Sequence, residues 1–173
     1  MVNTGDMFLL VSKVLDGLEN TGRRKGMNSP EAKDLVFRTG LVESGYRHLR
    51  QKLWRGRIGV ARSFFQFEPW VARSVINDYI KYRPSIKKDV ERICMVDLSK
   101  MDDPNEEDVL ELQLMGNILF GIALCRLKYR PVPKRIPIDL TGQGYYWWKY
   151  YNAGGKGSVE KFVKTANRFP IGE

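Results

Sequence analysis

Glu43 closes an amphipathic helical run, residues 32–43, and is followed at once by Ser44-Gly45. The C-terminus of a helix carries partial negative charge, and Leu41 and Val42 supply apolar neighbours. Both effects disfavour a carboxylate, so the pKa of Glu43 is predicted to be raised. A carboxylic acid still protonated near neutral pH can protonate the leaving oxygen of a glycosidic bond. The other reading of the same position is a solvated glutamate at a helix end. A hydrolytic glycosidase uses two carboxyl groups. The possible second one is Glu68, which opens a helix next to Pro69, where the helix dipole also favours an acid for structural reasons alone. Asp78, on the following helix, is a further candidate.

Other chemistries find little support. His48 is the single histidine, and Cys94 and Cys125 sit in apolar helical contexts that suit small buried side chains. No metal site and no cofactor are expected, and Gly154-Gly155-Lys156-Gly157 lacks the spacing of a phosphate-binding loop. The stretch YYWWKYY, residues 145–151, places six aromatic rings in seven positions and runs into Asn152-Ala153-Gly154-Gly155. Most of these rings are expected in the core. A sugar, however, presents C–H faces that stack on aromatic rings, so a glycan cleft tolerates some of them at its wall.

Four segments occur in order: Glu43-Ser44-Gly45; Ala61-Arg62-Ser63-Phe64-Phe65-Gln66-Phe67-Glu68-Pro69; Asn117-Ile118-Leu119-Phe120-Gly121; and Tyr151-Asn152-Ala153-Gly154. Together they resemble the catalytic domain of the lytic transglycosylases, lysozyme-like enzymes that cleave bacterial peptidoglycan, over about residues 30–165. In that family an E-S helix end carries the catalytic acid. A G-L-M-Q-type turn followed by a proline lines the cleft, an N-x-x-x-G helix supports it, and an A-Y-N-A-G segment closes it. The resemblance implies an all-α, lysozyme-like domain of about seven helices around a central glycan-binding cleft. Glu43 would be catalytic, with substrate-binding roles for Ser44, Phe65, Gln66, Asn117, Tyr151 and Asn152. Tyr151 would face Glu43 across the cleft. The sequence departs from the family at Ser63, where the turn has glycine, at Phe64-Phe65 in place of L-M, and at Leu124 in place of a tyrosine.

By the same resemblance one carboxyl group suffices. Glu43 would protonate the bond between N-acetylmuramic acid and N-acetylglucosamine, then accept the proton of the muramic 6-hydroxyl as it closes a 1,6-anhydro ring. Two alternatives stay open: a hydrolytic lysozyme or endolysin that uses Glu68, and a structural virion protein that keeps the fold without activity. The implied partners are peptidoglycan glycan strands and other virion or tail proteins of a tailed bacteriophage. The implied place of action is the host cell wall and periplasm, reached from the phage particle, since residues 1–6 show no basic region of a signal peptide.

The elements that must position these residues read as mostly helical. Helical periodicity covers 7–18, and the basic, glycine-punctuated segment 19–28 reads as a loop, so residues 1–28 form an N-terminal helix and loop, integral or a docking arm, before a domain at 29–173. Ser29-Pro30-Glu31 is a helix start with an N-cap serine, a first-position proline and a first-turn acid. Residues 46–63 read as irregular and basic. Helices are expected from Glu68-Pro69 to about Tyr82, from Pro84 to Leu98, as one long apolar helix from the acidic start Asp103–Glu107 to Arg130, from Gln143 to Tyr151, and from Ser158 to Arg168. PVPKRIP at 131–137 must be a connector.

The chain of 173 residues is long enough for one well-buried core, and 43% hydrophobic residues with 28% charged is an ordinary globular balance. The net charge of +9 suits an anionic partner, either cell wall or nucleic acid. Arg47–Arg62 interleaves arginines with Tyr46 and Trp54, but no nucleic-acid-binding motif accompanies it, so nucleic acid is the less expected partner. The apolar run 115–125 is too short for a membrane span.

Overall fold

The computed structural model describes residues 3–19, 26–101 and 107–169. The chain is mainly helical. Among the described residues, α1 (Thr4–Glu19), α2 (Pro30–Ser44), α3 (Pro69–Ser74), α4 (Pro84–Cys94), α5 (Glu107–Gly116), α6 (Ile118–Tyr129), α7 (Leu140–Tyr150) and α8 (Val159–Ala166) are joined by a small two-stranded sheet, β1 (Arg50–Lys52) and β2 (Ile58–Arg62). Most of segment 19–28 and the acidic helix start at 103–106 lie outside the described residues.

Helix α6 is the hub, with Phe120–Leu127 and Tyr129 all buried. Helices α1, α2 and α4 pack on it. The N-terminal helix α1 is integral: Met7, Val11, Val14, Leu15 and Leu18 are buried against α6, α2 and α4. Repeats at i, i+4 and i+7 put that apolar stripe on one face, and burying it offsets the entropy of ordering the helix. No single helix among the described residues is long and apolar enough to cross a membrane.

Helix α2 begins as its sequence dictates. The Ser29 Oγ accepts from the Ala32 N–H at 3.3 Å, and Pro30 occupies the first turn. It ends on Gly45 in the left-handed conformation (φ 60°), whose N–H donates to the Leu41 carbonyl. Tyr46 is left-handed too (φ 52°), so the chain doubles back and lays the Tyr46 ring beneath α2. The Tyr46 hydroxyl donates to the Phe37 carbonyl at 2.8 Å, and the two rings stack at 5.7 Å. This fold-back fixes the helix end that carries Glu43.

Two expectations are corrected. The segment 46–63 is not irregular throughout. Arg50–Lys52 and Ile58–Arg62 form an antiparallel hairpin, with Arg50 opposite Arg62 and Lys52 opposite Ile58. Its alternation is inverted relative to an ordinary half-buried strand. The inward positions of β2 are Gly59 and Ala61, while the apolar Ile58 and Val60 face solvent, so the pattern of apolar-in and polar-out that marks a strand is missing.

The long helix expected up to Arg130 is two helices, α5 and α6, bent by 100° at Asn117. Asn117 leaves the helical region (φ −111°, ψ 94°), and its Oδ1 caps α6 by accepting from the Phe120 N–H at 3.0 Å. Its Nδ2 donates to the Cys94 carbonyl and to Gln113 Oε1. A Gly-Asn pair inside an apolar run is a breaker because asparagine offers its own backbone a competing set of hydrogen bonds.

Candidate active site

Glu43 lines an open pocket of about 290 Å³ formed by the end of α2, the hairpin, the turn before α3, the end of α7 and the start of α8. His48, Gln51 and Lys52 enter from the hairpin side, Gln66 from the turn, and Trp147, Asn152, Lys156, Gly157 and Lys161 from the α7–α8 side. Among the described residues, Glu43 is the single carboxylate lining the pocket, and three lysines share it.

The carboxyl group is partly buried and accepts a hydrogen bond from the indole Nε1–H of Trp147 at 3.0 Å. Burial raises its pKa, while the indole bond and the charges of Lys128 and Lys161 lower it. Burial wins, and the pKa stands at about 7 against an ordinary 4.5. The direction of this shift and one of its causes, apolar surroundings, are legible in the sequence around Glu43. The indole is not, because 104 residues separate Glu43 from Trp147. The only sequence signal for Trp147 is its place on the inward face of α7, with Gln143, Gly144 and Tyr146.

The indole bond makes a testable claim. A hydrogen bond to a charged group is worth about 1.5–3 kcal/mol, or roughly one to two pH units. Trp147→Phe removes the donor and keeps a ring, so the titration of Glu43 moves further up. The alkaline limb of a pH–rate profile is expected to rise by about one to two pH units. A limb that stays in place or moves down would show that the indole does not hold the carboxylate.

Gln66 lines the pocket from the turn that precedes α3. The Arg62 N–H donates to the Phe67 carbonyl and the Phe67 N–H returns to the Arg62 carbonyl, at 2.7 and 2.8 Å, which closes a tight turn. Inside it Ser63 (φ 71°) and Gln66 (φ 51°) are both left-handed, a conformation that costs a non-glycine residue energy. Ser63 thus occupies a position where glycine would be unstrained. Gln66 Nε2 donates to the Ser63 carbonyl at 2.8 Å, which orients the amide toward the pocket. Asn152 lines the pocket as well. Its side chain packs against Gly155 and Gly157, where a Cβ would collide with it, so the glycines let the chain pass close beside the pocket.

Four implied substrate contacts are corrected. Tyr151 is 7% exposed, and its hydroxyl donates to the Phe65 carbonyl at 2.8 Å instead of opening to the pocket. Burial pushes its pKa well above the ordinary tyrosine value. Phe65 is fully buried and serves that bond through its backbone. Ser44 turns away from the pocket: its Oγ donates to the Gly40 carbonyl and accepts the Tyr46 N–H. Asn117 caps α6 and lines a different surface hollow with Leu112 and Met95. Gly121, on α6, lets Ser63 and Phe65 of the turn pack directly on that helix.

Glu68 precedes α3 and does not line the Glu43 pocket. Asp78 is bonded to the Ser74 hydroxyl on an exposed surface. Lys128 is the unforeseen member of the neighbourhood. Its Nζ donates to the Tyr151 carbonyl at 2.9 Å and sits 3.9 Å from the Tyr151 ring centre, and it bears electrostatically on Glu43. The hairpin tip beside the pocket exposes Trp54 (80%) with the Arg55 guanidinium 4.4 Å from its ring centre.

No protein-family model matches the chain, and neither does any curated protein or solved structure.

Proposed function

We propose that this protein is a peptidoglycan-cleaving lytic transglycosylase with Glu43 as both general acid and general base. The observation that carries this reading is a carboxyl group with a pKa of about 7, the one carboxylate among the described residues that line an open pocket shared with Lys52, Lys156 and Lys161. A hydrolase of the two-carboxylate kind needs a second acid about 5–9 Å away to act as nucleophile or to activate water. Among the described residues no other carboxylate lines this pocket, which favours the mechanism that needs only one.

In the first step protonated Glu43 gives its proton to the oxygen leaving C1 of the N-acetylmuramic acid, and the C1–O bond breaks. The substrate's own groups stabilise the cation. In the second step the 6-hydroxyl of the same sugar attacks C1 and its proton passes to the Glu43 carboxylate. The acid is restored, an anhydro ring has formed and no water is consumed. A pKa near the working pH suits a group that must give and then take a proton. Gln66, held by the turn, and Asn152 border the substrate on two sides. Lys52, Lys156 and Lys161 complement the carboxylates of the peptide stems.

The pocket is not plugged by the rings best placed to do so. Phe64 is buried elsewhere and Trp148 is 42% exposed, and neither lines it. This favours an enzyme over a structural virion protein that keeps only the fold. The proposed setting is a tailed-phage particle, with other virion or tail proteins as partners and the host cell wall as the site of action.

Digestion of purified peptidoglycan, with products identified by mass spectrometry, tests the proposal. Anhydro-muropeptides are the expected product. Reducing-end products would replace the transglycosylase with a hydrolase, and no products from folded protein would remove the enzymatic reading.

A further inference from the structure

A second cavity, of about 340 Å³, lies where the connector after α6 doubles back over the start of α2. It stands at the opposite end of α2 from Glu43, a 15-residue helix away, about 20 Å along the axis. The two ends of α2 carry opposite partial charges, and the positive end faces this cavity through Ser29.

The lining is strongly basic. Among the described residues, it includes the cations Arg126, Arg130, Lys134 and Arg135 and the carboxylate Glu31. Arg126 is 3% exposed. Its Nε donates to the Met27 carbonyl at 2.8 Å and its Nη2 to the Gly26 carbonyl at 2.7 Å, both neutral partners. No ion pair among the described residues includes Arg126, and the groups that bear on its charge are Arg130, Tyr146, Cys125 and Tyr79, none of them a carboxylate. Burial and the like charge of Arg130 hold its pKa down to about 10. Glu31 is held chiefly by the N-terminus of its own helix, whose backbone N–H and Ser29 keep its carboxyl below the ordinary value, with a smaller contribution from the charge of Arg135. A guanidinium buried without a counter-charge is costly, and a bound anion removes that cost. The remaining walls, Tyr129, Val132, Ile136 and Ile138 among them, are apolar.

We propose that this cavity binds an oxyanion, a carboxylate or a phosphate, carried on a small apolar or aromatic body. Arg126 holds the anion at the floor, and Lys134 and Arg135 draw it in from the exposed rim. The site is independent of the Glu43 pocket and of the activity proposed for it.

Thermal unfolding of the full chain, followed with phenyl phosphate, benzoate, inorganic phosphate and sodium chloride at equal ionic strength, tests the inference. A ligand that binds only the folded state raises the Tm, by a few degrees when well above its Kd. Phenyl phosphate or benzoate is expected to do so and to exceed inorganic phosphate and chloride. Whichever ranks higher identifies the anion as phosphate or carboxylate. Arg126→Met is expected to abolish the shift, Lys134→Gln/Arg135→Gln to weaken apparent affinity several-fold, and Glu43→Gln to leave it unchanged. The rim double variant decides the matter if Arg126→Met does not fold. A wild-type shift no larger than that in chloride, or a shift that survives in full in the rim variant, would overturn the proposal.

Discussion

Glu43→Gln is expected to lower peptidoglycan cleavage by about 10²–10⁴-fold, the usual contribution of a general acid–base group, in a protein that remains folded. Glutamine has nearly the same shape and can still accept the Trp147 indole bond, so the loss reads the proton and not the packing. The wild type should be active up to neutral pH, then lose about tenfold per pH unit above about 7, as the acid form of Glu43 is depleted.

The same substitution should report on stability. The folded pKa of about 7 lies above the ordinary 4.5, so the folded state keeps a proton that the unfolded chain has already released. The stabilisation from this proton is fully present below about 4.5, is lost as pH rises through about 7, and totals on the order of 3 kcal/mol. Glutamine does not titrate. The Tm of Glu43→Gln relative to wild type should therefore climb between those two pH values and then level off. A difference independent of pH would mean that Glu43 titrates as an ordinary surface acid and would sink the proposed chemistry with it.

Gly40→Ala is expected to destabilise the protein by about 2 kcal/mol and to depress activity as well. Alanine in a helix interior normally gains about 1 kcal/mol over glycine. Here the added Cβ would be driven into the Tyr46 ring and hydroxyl, and that ring cannot step aside without losing its bond to the Phe37 carbonyl and its stacking on Phe37. Overpacking against a held ring outweighs the propensity gain, and the Tm should fall by roughly 4–8 °C. The activity loss should follow because Tyr46 sets the exit of the helix end that carries Glu43, and a displacement of about 1 Å can cost about 10²-fold. Gly116→Ala is the control, since a Cβ there meets nothing within 4 Å, and its effect should stay within about 0.5 kcal/mol. Equal Tm values for the two variants would show that Tyr46 is not a rigid clamp.

The sequence alone determined much of this protein: its mainly helical character, the boundaries of α2 through Ser29, Pro30 and Gly45, the connector at 131–137, and the raised pKa of Glu43. Each of these is local. Caps, prolines, a helix end and an apolar neighbour act within a few residues of the position they affect, so a linear reading reaches them. Only the tertiary structure decided the rest. It broke the expected long helix at Asn117, where side-chain bonds to Cys94 and Gln113 stabilise the corner. It paired β1 with β2 although the inward positions of β2 are only Gly59 and Ala61. It turned the Tyr151 hydroxyl onto the Phe65 carbonyl, and it brought Trp147 to Glu43 and Arg126 to the carbonyls of Gly26 and Met27. These contacts join residues distant in sequence. A side chain's final partner depends on what competes for the same buried space and the same hydrogen bond, and that competition exists only once the helices have packed.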